Sequence, residues 1–397
     1  MSGRHAPGAG SAAVRLATLL APLSDTVVAT TMLKGTARGS AGRPLSMLVA
    51  GPLNRVQWLV DRAFEDPPAR EPLGHVPGWR LARTLRRMRG SADLVVARVA
   101  RLSARPLGFD DDWLPVPEWI GMRLDEPFDL DAIARRSHSA RDDIRRVRRD
   151  WRAETTHAAV DFEAFYRDMY LPFLHRRYRG EGFLRSARRL RRAFRRGGLL
   201  CVLRRGERLA GLVYETRRGT FNGIALGVQD GDEDWMRAGA VAALYVHMID
   251  LARSLGCRSI DWHGSRPSLT DGVTRFKRKW GAVAYDRPQV LHTTLLRWER
   301  MSPAVLALLE RMPLVFHDDE GLSAVAASGD GGAEAPAKTF ARLAVAGLRR
   351  FIVLAPATTV GNATDAEGCL TLSVTSVDSG PRALRAAMRD ARVDAGG

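Results

Sequence analysis

Between Leu199 and Trp262 the chain alternates apolar runs with glycine-bearing turns in an order few folds accommodate. The runs Leu199–Arg205, Leu209–Thr216 and Thr220–Val228 read as strands, with hairpin turns supplied by Arg205-Gly206-Glu207 and Arg217-Arg218-Gly219. Trp235 to Leu255 keeps a helical spacing of apolar residues and stops at Gly256; Cys257–Trp262 is again strand-like. Upstream, three helices are predicted. One covers Asp131–Trp151, a second Phe162–Leu171 closed by Pro172, and a third carries Leu184, Ala187, Leu190 and Phe194 up to Gly197-Gly198. Downstream come a loop over His263–Gly272, a short helix Val273–Trp280 closed by Gly281, and two strands within Val283–Trp298 around Asp286–Pro288. Helices, meander, helix and strand together predict an α+β domain over residues 131–300.

At 397 residues the chain is too long for one ordinary core, so further domains are expected. Residues 1–42, rich in Ala, Gly and Ser, read as a tail. Residues 43–130 hold strand-like Leu45–Val49 and Asp93–Leu102, a helical Arg55–Ala63 and a Pro-rich loop Asp66–Pro77. The acidic triplet Asp110, Asp111 and Asp112 lacks the spacing of a calcium loop and reads as a solvated turn. Residues 301–397, with strand-like Leu314–Phe316, Arg350–Leu354 and Cys369–Val374, read as a small α/β appendage.

The net charge is +17, and lysine occurs only at Lys34, Lys277, Lys279 and Lys338. Between Arg135 and Arg205 stand 21 arginines against 8 acids, which is 13 of that +17. Such an excess steers anions, whether coenzyme A, tRNA or a phosphorylated substrate; a GC-rich genome is the bland alternative. Cys201, Cys257 and Cys369 have no metal-ligand spacing, so no metal is expected, and a disulfide framework is disfavoured. Arg15 and Asp25 interrupt the apolar residues 12–33, so no membrane span is expected and the chain reads as cytoplasmic.

Four stretches carry a family resemblance. They are Ser137-His138-Ser139 with Arg141, Ile144 and Arg145; Phe165-Tyr166 with Met169-Tyr170-Leu171-Pro172; Gly239-Ala240-Val241-Ala242-Ala243-Leu244; and Asp261 with Gly264-Ser265-Arg266-Pro267, Asp271-Gly272 and Phe276-Lys277-Arg278-Lys279-Trp280-Gly281. In them the chain resembles the GNAT acyltransferases, and within these the branch of Fem-type peptidoglycan aminoacyltransferases and FemAB-like N-acetyltransferases. The resemblance implies a mixed, mostly antiparallel sheet flanked by helices, with residues 43–130 as a degenerate first GNAT half.

It also implies an acyl-coenzyme A donor, acetyl-coenzyme A first, whose acyl arm enters where the third strand of the meander parts from its neighbour. Ala225, Leu226 and Gly227 lie there, with a main-chain N–H near Leu226 as oxyanion donor; equally, small residues fit a neighbouring helix. The diphosphate falls at the start of the long helix, at Arg237, Gly239 and Ala240, although Asp230, Asp232, Glu233 and Asp234 precede them and the usual loop is only partly kept.

From the residues themselves, Asp261 and His263 alternate with Ile260 and Trp262 and form a base pair of groups, or else a loop cap and a surface histidine. Glu215 is a second base. The resemblance implies an acid, often a tyrosine, that protonates the leaving thiolate, and since none stands in the short helix 273–280, Tyr245, Tyr285 or Tyr170 would have to serve, or none does. Ser265, Arg266 and Lys277 could bind a substrate carboxylate or phosphate, as could Arg141 and Arg145, unless Asp142 and Asp143 simply pair with the latter two.

Three functions follow from these readings: an N-acyltransferase acting on a small-molecule or saccharide amine; a Fem-type transferase using aminoacyl-tRNA; or a silent GNAT-like module that binds an anion or a partner. The oligomeric state is left open by the sequence.

Overall fold

The computed structural model describes residues 25–102, 104, 109, 112–178, 184–287, 291–298, 301–318, 320–328, 335–355, 361–364 and 371–376. In chain order the elements are β1 Val27–Thr36, β2 Pro44–Ala50, α1 Leu53–Ala63, β3 Ala69–Pro77, α2 Gly78–Arg87, β4 Leu94–Ala100, β5 Leu114–Pro117, β6 Ile120–Asp125, α3 Leu130–Arg136, α4 His138–Asp150 and β7 Arg152–Thr156. There follow α5 Ala159–Ala164, a π-helical segment Phe165–Tyr170, α6 Leu171–Tyr178, α7 Ala187–Phe194, β8 Gly197–Arg204, β9 Glu207–Arg217, β10 Thr220–Val228, α8 Glu233–Ala238, α9 Ala240–Ser254 and β11 Ser259–Ser265. The chain continues through α10 Gly272–Lys279, β12 Val283–Tyr285, β13 His292–Arg297, α11 Pro303–Arg311, β14 Leu314–His317, β15 Leu322–Ala327, α12 Ala335–Leu343, β16 Arg350–Ala355, β17 Gly361–Thr364 and β18 Thr371–Ser376.

Two compact units result: Met1–Ile120 with Arg266–Thr274 and Tyr285–Gly397, and Gly121–Ser265 with Arg275–Ala284. The second holds a seven-stranded sheet in the order β12-β6-β11-β10-β9-β8-β7. Strands β7 to β10 pair antiparallel in succession, while β10 and β11 run parallel. This is the mixed, mostly antiparallel sheet expected, with helices around it. Both hairpin turns work as read, because Arg205-Gly206 and Arg218-Gly219 take the positive φ values that a two-residue turn between twisted strands requires.

The first unit holds a six-stranded sheet, β3-β1-β2-β4-β13-β5, and a five-stranded one, β14-β15-β16-β18-β17. Leu314, Phe316, Val325, Ile352 and Leu354 share one buried cluster with Leu33, Met47, Val49 and Val96. The C-terminal strands therefore complete a core with the N-terminal ones instead of forming an appendage of their own. β1 lies inside the segment read as a tail, and β3 replaces the Pro-rich loop, since β1 pairs along its length and its prolines fall on an edge strand.

Other expectations need correction. Ser137 breaks the first helix in two, its hydroxyl accepting the Ala140 N–H as the N-cap of α4. Pro172 does not end the second helix; the chain passes through the π-helical segment and continues as α6. Gly197-Gly198 opens β8. Gly239, at φ 103°, splits the long helix into α8 and α9. Of the acidic triplet, Asp112 pairs with Arg89 at 2.8 Å, while Asp110 and Asp111 lie outside the described residues, as does Cys369.

Candidate active site

Strands β10 and β11 stay in register for three residues, from Thr220 beside Ser259 to Asn222 beside Asp261. Beyond that point β10 runs on to Val228 and β11 to Ser265 with no further pairing between them. A bulge between Gly223 and Ala225 on β10 accompanies the parting. Main-chain groups on that side of β10, including those around Leu226, thus leave the ladder where β11 departs.

Asp261 sits at this fork. Its Oδ1 accepts the backbone N–H of His263 at 2.7 Å, and Oδ2 lies 3.8 Å from the His263 Nδ1. His263 takes φ 58°, a left-handed conformation that a non-glycine residue adopts only when its surroundings hold it there. The Lys277 ammonium does so. Buried at the end of α10, it donates to the carbonyls of His263 (3.2 Å) and Gly264 (2.9 Å) and to the Ser265 hydroxyl (3.1 Å). The two sets of hydrogen bonds meet at the His263 backbone.

Register also brings Glu215 beside Asn222, and Asn222 beside Asp261. Three polar side chains therefore form a row across β9, β10 and β11, with Glu215 and Asp261 two strand spacings, about 10 Å, apart. Glu215 is claimed by Arg196 at 3.1 Å, so its carboxylate already has a counter-ion.

No family model matches the chain, and no curated protein matches it. Among solved structures it is similar to FemX (11% identity, TM-score 0.36, 74% of this chain and 97% of that one). It is likewise similar to the C-terminal domain of a putative lysylphosphatidylglycerol synthetase from Agrobacterium fabrum (12%, 0.34, 66% and 82%) and to a GCN5-related N-acetyltransferase from Sphaerobacter thermophilus (14%, 0.31, 63% and 71%). GNAT-type acetyltransferases are thus among its structural neighbours. Likenesses of this size leave donor and substrate to the chain's own geometry.

Several residues singled out in the sequence are used elsewhere. Tyr245 is buried against Trp262 (ring centroids 5.0 Å), Phe276 (4.9 Å) and Trp280 (6.0 Å). Trp262 points to the opposite side of β11 from Asp261, and the Tyr245 ring packs in the core on the Trp262 side. Tyr170 is buried too, its hydroxyl accepting the Arg185 N–H at 3.0 Å. Gly227 is small for packing reasons: a Cβ there would lie 2.6 Å from backbone atoms of Met169 and Tyr170. Ala225 packs in that same cluster, with Phe165, Met169 and Val213. Ser265 and Lys277 are buried and bonded to each other, which corrects their reading as substrate contacts. Arg266 belongs to the first unit, where its guanidinium lies 4.1 Å from the Trp119 ring centroid and 5.7 Å from that of Trp58.

Arg237 pairs with Glu233 (2.8 Å) and Asp234 (2.6 Å) on exposed α8, and Asp232 caps that helix. Three of the four acids that seemed to oppose an anion there, Asp232, Glu233 and Asp234, are therefore committed to structure, and so is the arginine. Gly239 ends α8 and begins α9, and no side chain caps the α9 N-terminus before buried Ala240. Arg146 of α4 stands beside it: a Cβ on Gly239 would lie 3.7 Å from the Arg146 Nε. Arg146 also holds Asp143 at 2.6 Å, and Asp143 binds Lys279 as well. Sequence reading missed Arg146 because nothing local says that α4 reaches the start of α9. With Asp143 so engaged and Asp142 paired to His138 (3.0 Å), neither acid pairs with Arg141 or Arg145. Arg145 is exposed, and the Arg141 Nε is buried with no hydrogen-bond partner among the described residues.

Burial pushes the Cys201 thiol up to about 12 and also raises that of Cys257, so neither supplies a thiolate at neutral pH. Among the described residues there is no group of three or more His, Cys, Asp or Glu placed to hold a metal ion, and no helix long and apolar enough to cross a membrane.

Proposed function

We propose that the second unit, Gly121–Ser265 with Arg275–Ala284, is an N-acyltransferase that moves an acyl group from an acyl-coenzyme A, acetyl-coenzyme A first, to the amine of a small molecule or saccharide. The observation that carries this reading is the parting of β10 from β11 immediately after Asn222 and Asp261, with His263 two residues further along β11. The residues present suit the donor: an uncapped helix start at Val241 and Ala242 with Arg146 beside it favours a diphosphate, and the open edge of β10 offers amide groups to the acyl arm. His263, whose backbone N–H is held by Asp261, accepts a proton from the attacking amine. The amine nitrogen bonds to the thioester carbon, a main-chain N–H near Leu226 stabilises the developing oxyanion, and the carbon–sulfur bond breaks, the leaving thiolate taking the proton that His263 accepted and departing as the thiol. Arg141 and Arg145, without acidic partners, bind an anionic group of the acceptor. The reaction belongs in the cytoplasm, where acyl-coenzyme A is found.

Calorimetric titration with acetyl-coenzyme A at two salt concentrations tests this. Micromolar, salt-weakened binding that Arg146→Ala reduces supports it; absence of binding removes acetyl-coenzyme A as the donor.

A second reading keeps the fold and takes aminoacyl-tRNA as donor. It is favoured by Arg188, Arg189 and Arg192 on α7 and Arg195 at its C-cap, which are exposed and have no ion pair among the described residues. Steep salt dependence of binding to charged tRNA, with none to acetyl-coenzyme A, distinguishes it.

A further inference from the structure

Helix α4 buries Ala140, Ile144 and Val147, and an acid, Asp143, stands in the same stripe. A carboxylate taken out of water needs cationic partners. Asp143 has two. Its Oδ1 accepts from the Arg146 guanidinium at 2.6 Å, one turn along α4, and its Oδ2 accepts from the Lys279 ammonium at the end of α10. All three residues belong to the second unit.

Arg146 is held on another side as well. A second of its nitrogens donates to the Arg237 carbonyl at 3.4 Å, in the last turn of α8. Further along α4, Arg148 and Arg149 are exposed and pair with Asp131 (3.5 Å) and Asp150 (2.8 Å). Arg146, by contrast, is anchored from inside the fold. Beside it α9 begins with no acid in its first turn and no side-chain cap. The positive end of that helix and the guanidinium therefore stand side by side, and the buried carboxylate keeps them together.

We propose that Asp143 is a positioning residue for the donor, holding the Arg146 guanidinium where the diphosphate of an acyl-coenzyme A meets it, a role that rests on the acyl-coenzyme A reading. Charge alone predicts the opposite of placement. By charge, loss of the Asp143 carboxylate tightens binding of an anion and loss of the Lys279 ammonium loosens it. By placement, loss of the carboxylate weakens binding, whereas loss of Lys279 leaves Asp143 wholly to Arg146 and changes little.

The test is calorimetric titration of the full chain with coenzyme A, and separately with inorganic diphosphate, at low salt. Arg146→Ala should weaken coenzyme A binding on the order of ten-fold, the worth of one charge-assisted hydrogen bond. Asp143→Asn should weaken it to a similar extent, and combining the two should cost little more, because they act as one unit. Lys279→Met should bind nearly as the wild type does. Where circular dichroism shows Asp143→Asn unfolded, Asp143→Asn with Lys279→Met replaces it, since no ammonium is then left without its counter-charge, and the same weakening is expected. Asp143→Asn binding as well as the wild type or better would overturn the proposal. So would equal losses from Asp143→Asn and Lys279→Met, or losses from Asp143→Asn and Arg146→Ala that simply add. A wild type that binds diphosphate but not coenzyme A removes the donor alone, and the same order among the variants, read with diphosphate, still supports the role of Asp143. A wild type that binds neither overturns both.

Discussion

The Lys277 ammonium donates to the main-chain carbonyls of His263 and Gly264, at 3.2 and 2.9 Å. A buried cation therefore sets the backbone of the residue best placed to act as a base. Lys277→Met should leave two carbonyls and a hydroxyl short of a donor and cost about 2–4 kcal/mol, read from urea unfolding, with turnover falling further than stability explains. Unchanged stability would mean that the segment holds its shape without Lys277.

His263 separates chemistry from strain. At φ 58° a glycine is more comfortable than an alanine, so His263→Gly should be more stable than His263→Ala by about 1 kcal/mol. Both should lose transfer activity on the order of a hundred-fold or more, because neither carries a proton acceptor. A thioester-cleavage assay with thermal melts checks both halves.

Gly227 and Gly223 stand on one strand and should respond differently. Gly227→Ala forces a methyl group into the Met169–Tyr170 backbone and should destabilise by about 1–3 kcal/mol. Gly223→Ala meets only the Met248 sulfur at 3.4 Å and the Leu212 methyls, so it should fold normally. Chemical denaturation of the two variants is the measurement.

Asp286 should govern part of the acid limb of stability. Burial raises its pKa, but the hydrogen bonds and charges of His317 (2.9 Å) and Arg101 (2.7 Å) outweigh burial and hold it well below the ordinary carboxylate range. A depressed folded-state pKa contributes stability that is present above the unfolded value, about 4, and is lost as pH falls toward the folded one. Melting temperature should therefore drop between about pH 4 and pH 2, and Asp286→Asn should lower the plateau near pH 6 while flattening that drop.

What the sequence determined by itself is local. Apolar periodicity and two Arg-Gly turns suffice for the β8–β9–β10 meander, and alternation puts Asp261 on one side of β11 and Trp262 on the other, whereas the left-handed backbone at His263 leaves no trace in that pattern. Tertiary structure decided the rest, because the deciding contacts join residues far apart in the chain. Gly227 reads as room for a ligand until the π-helical backbone is seen to fill that room. Tyr245 reads as a spare acid until three aromatic rings enclose it. Arg146 is one of many arginines until α4 lies beside Gly239, and β14 to β16 look like a separate appendage until they share a core with β1, β2 and β4. Burial against a distant partner leaves no periodic trace in the sequence of either segment.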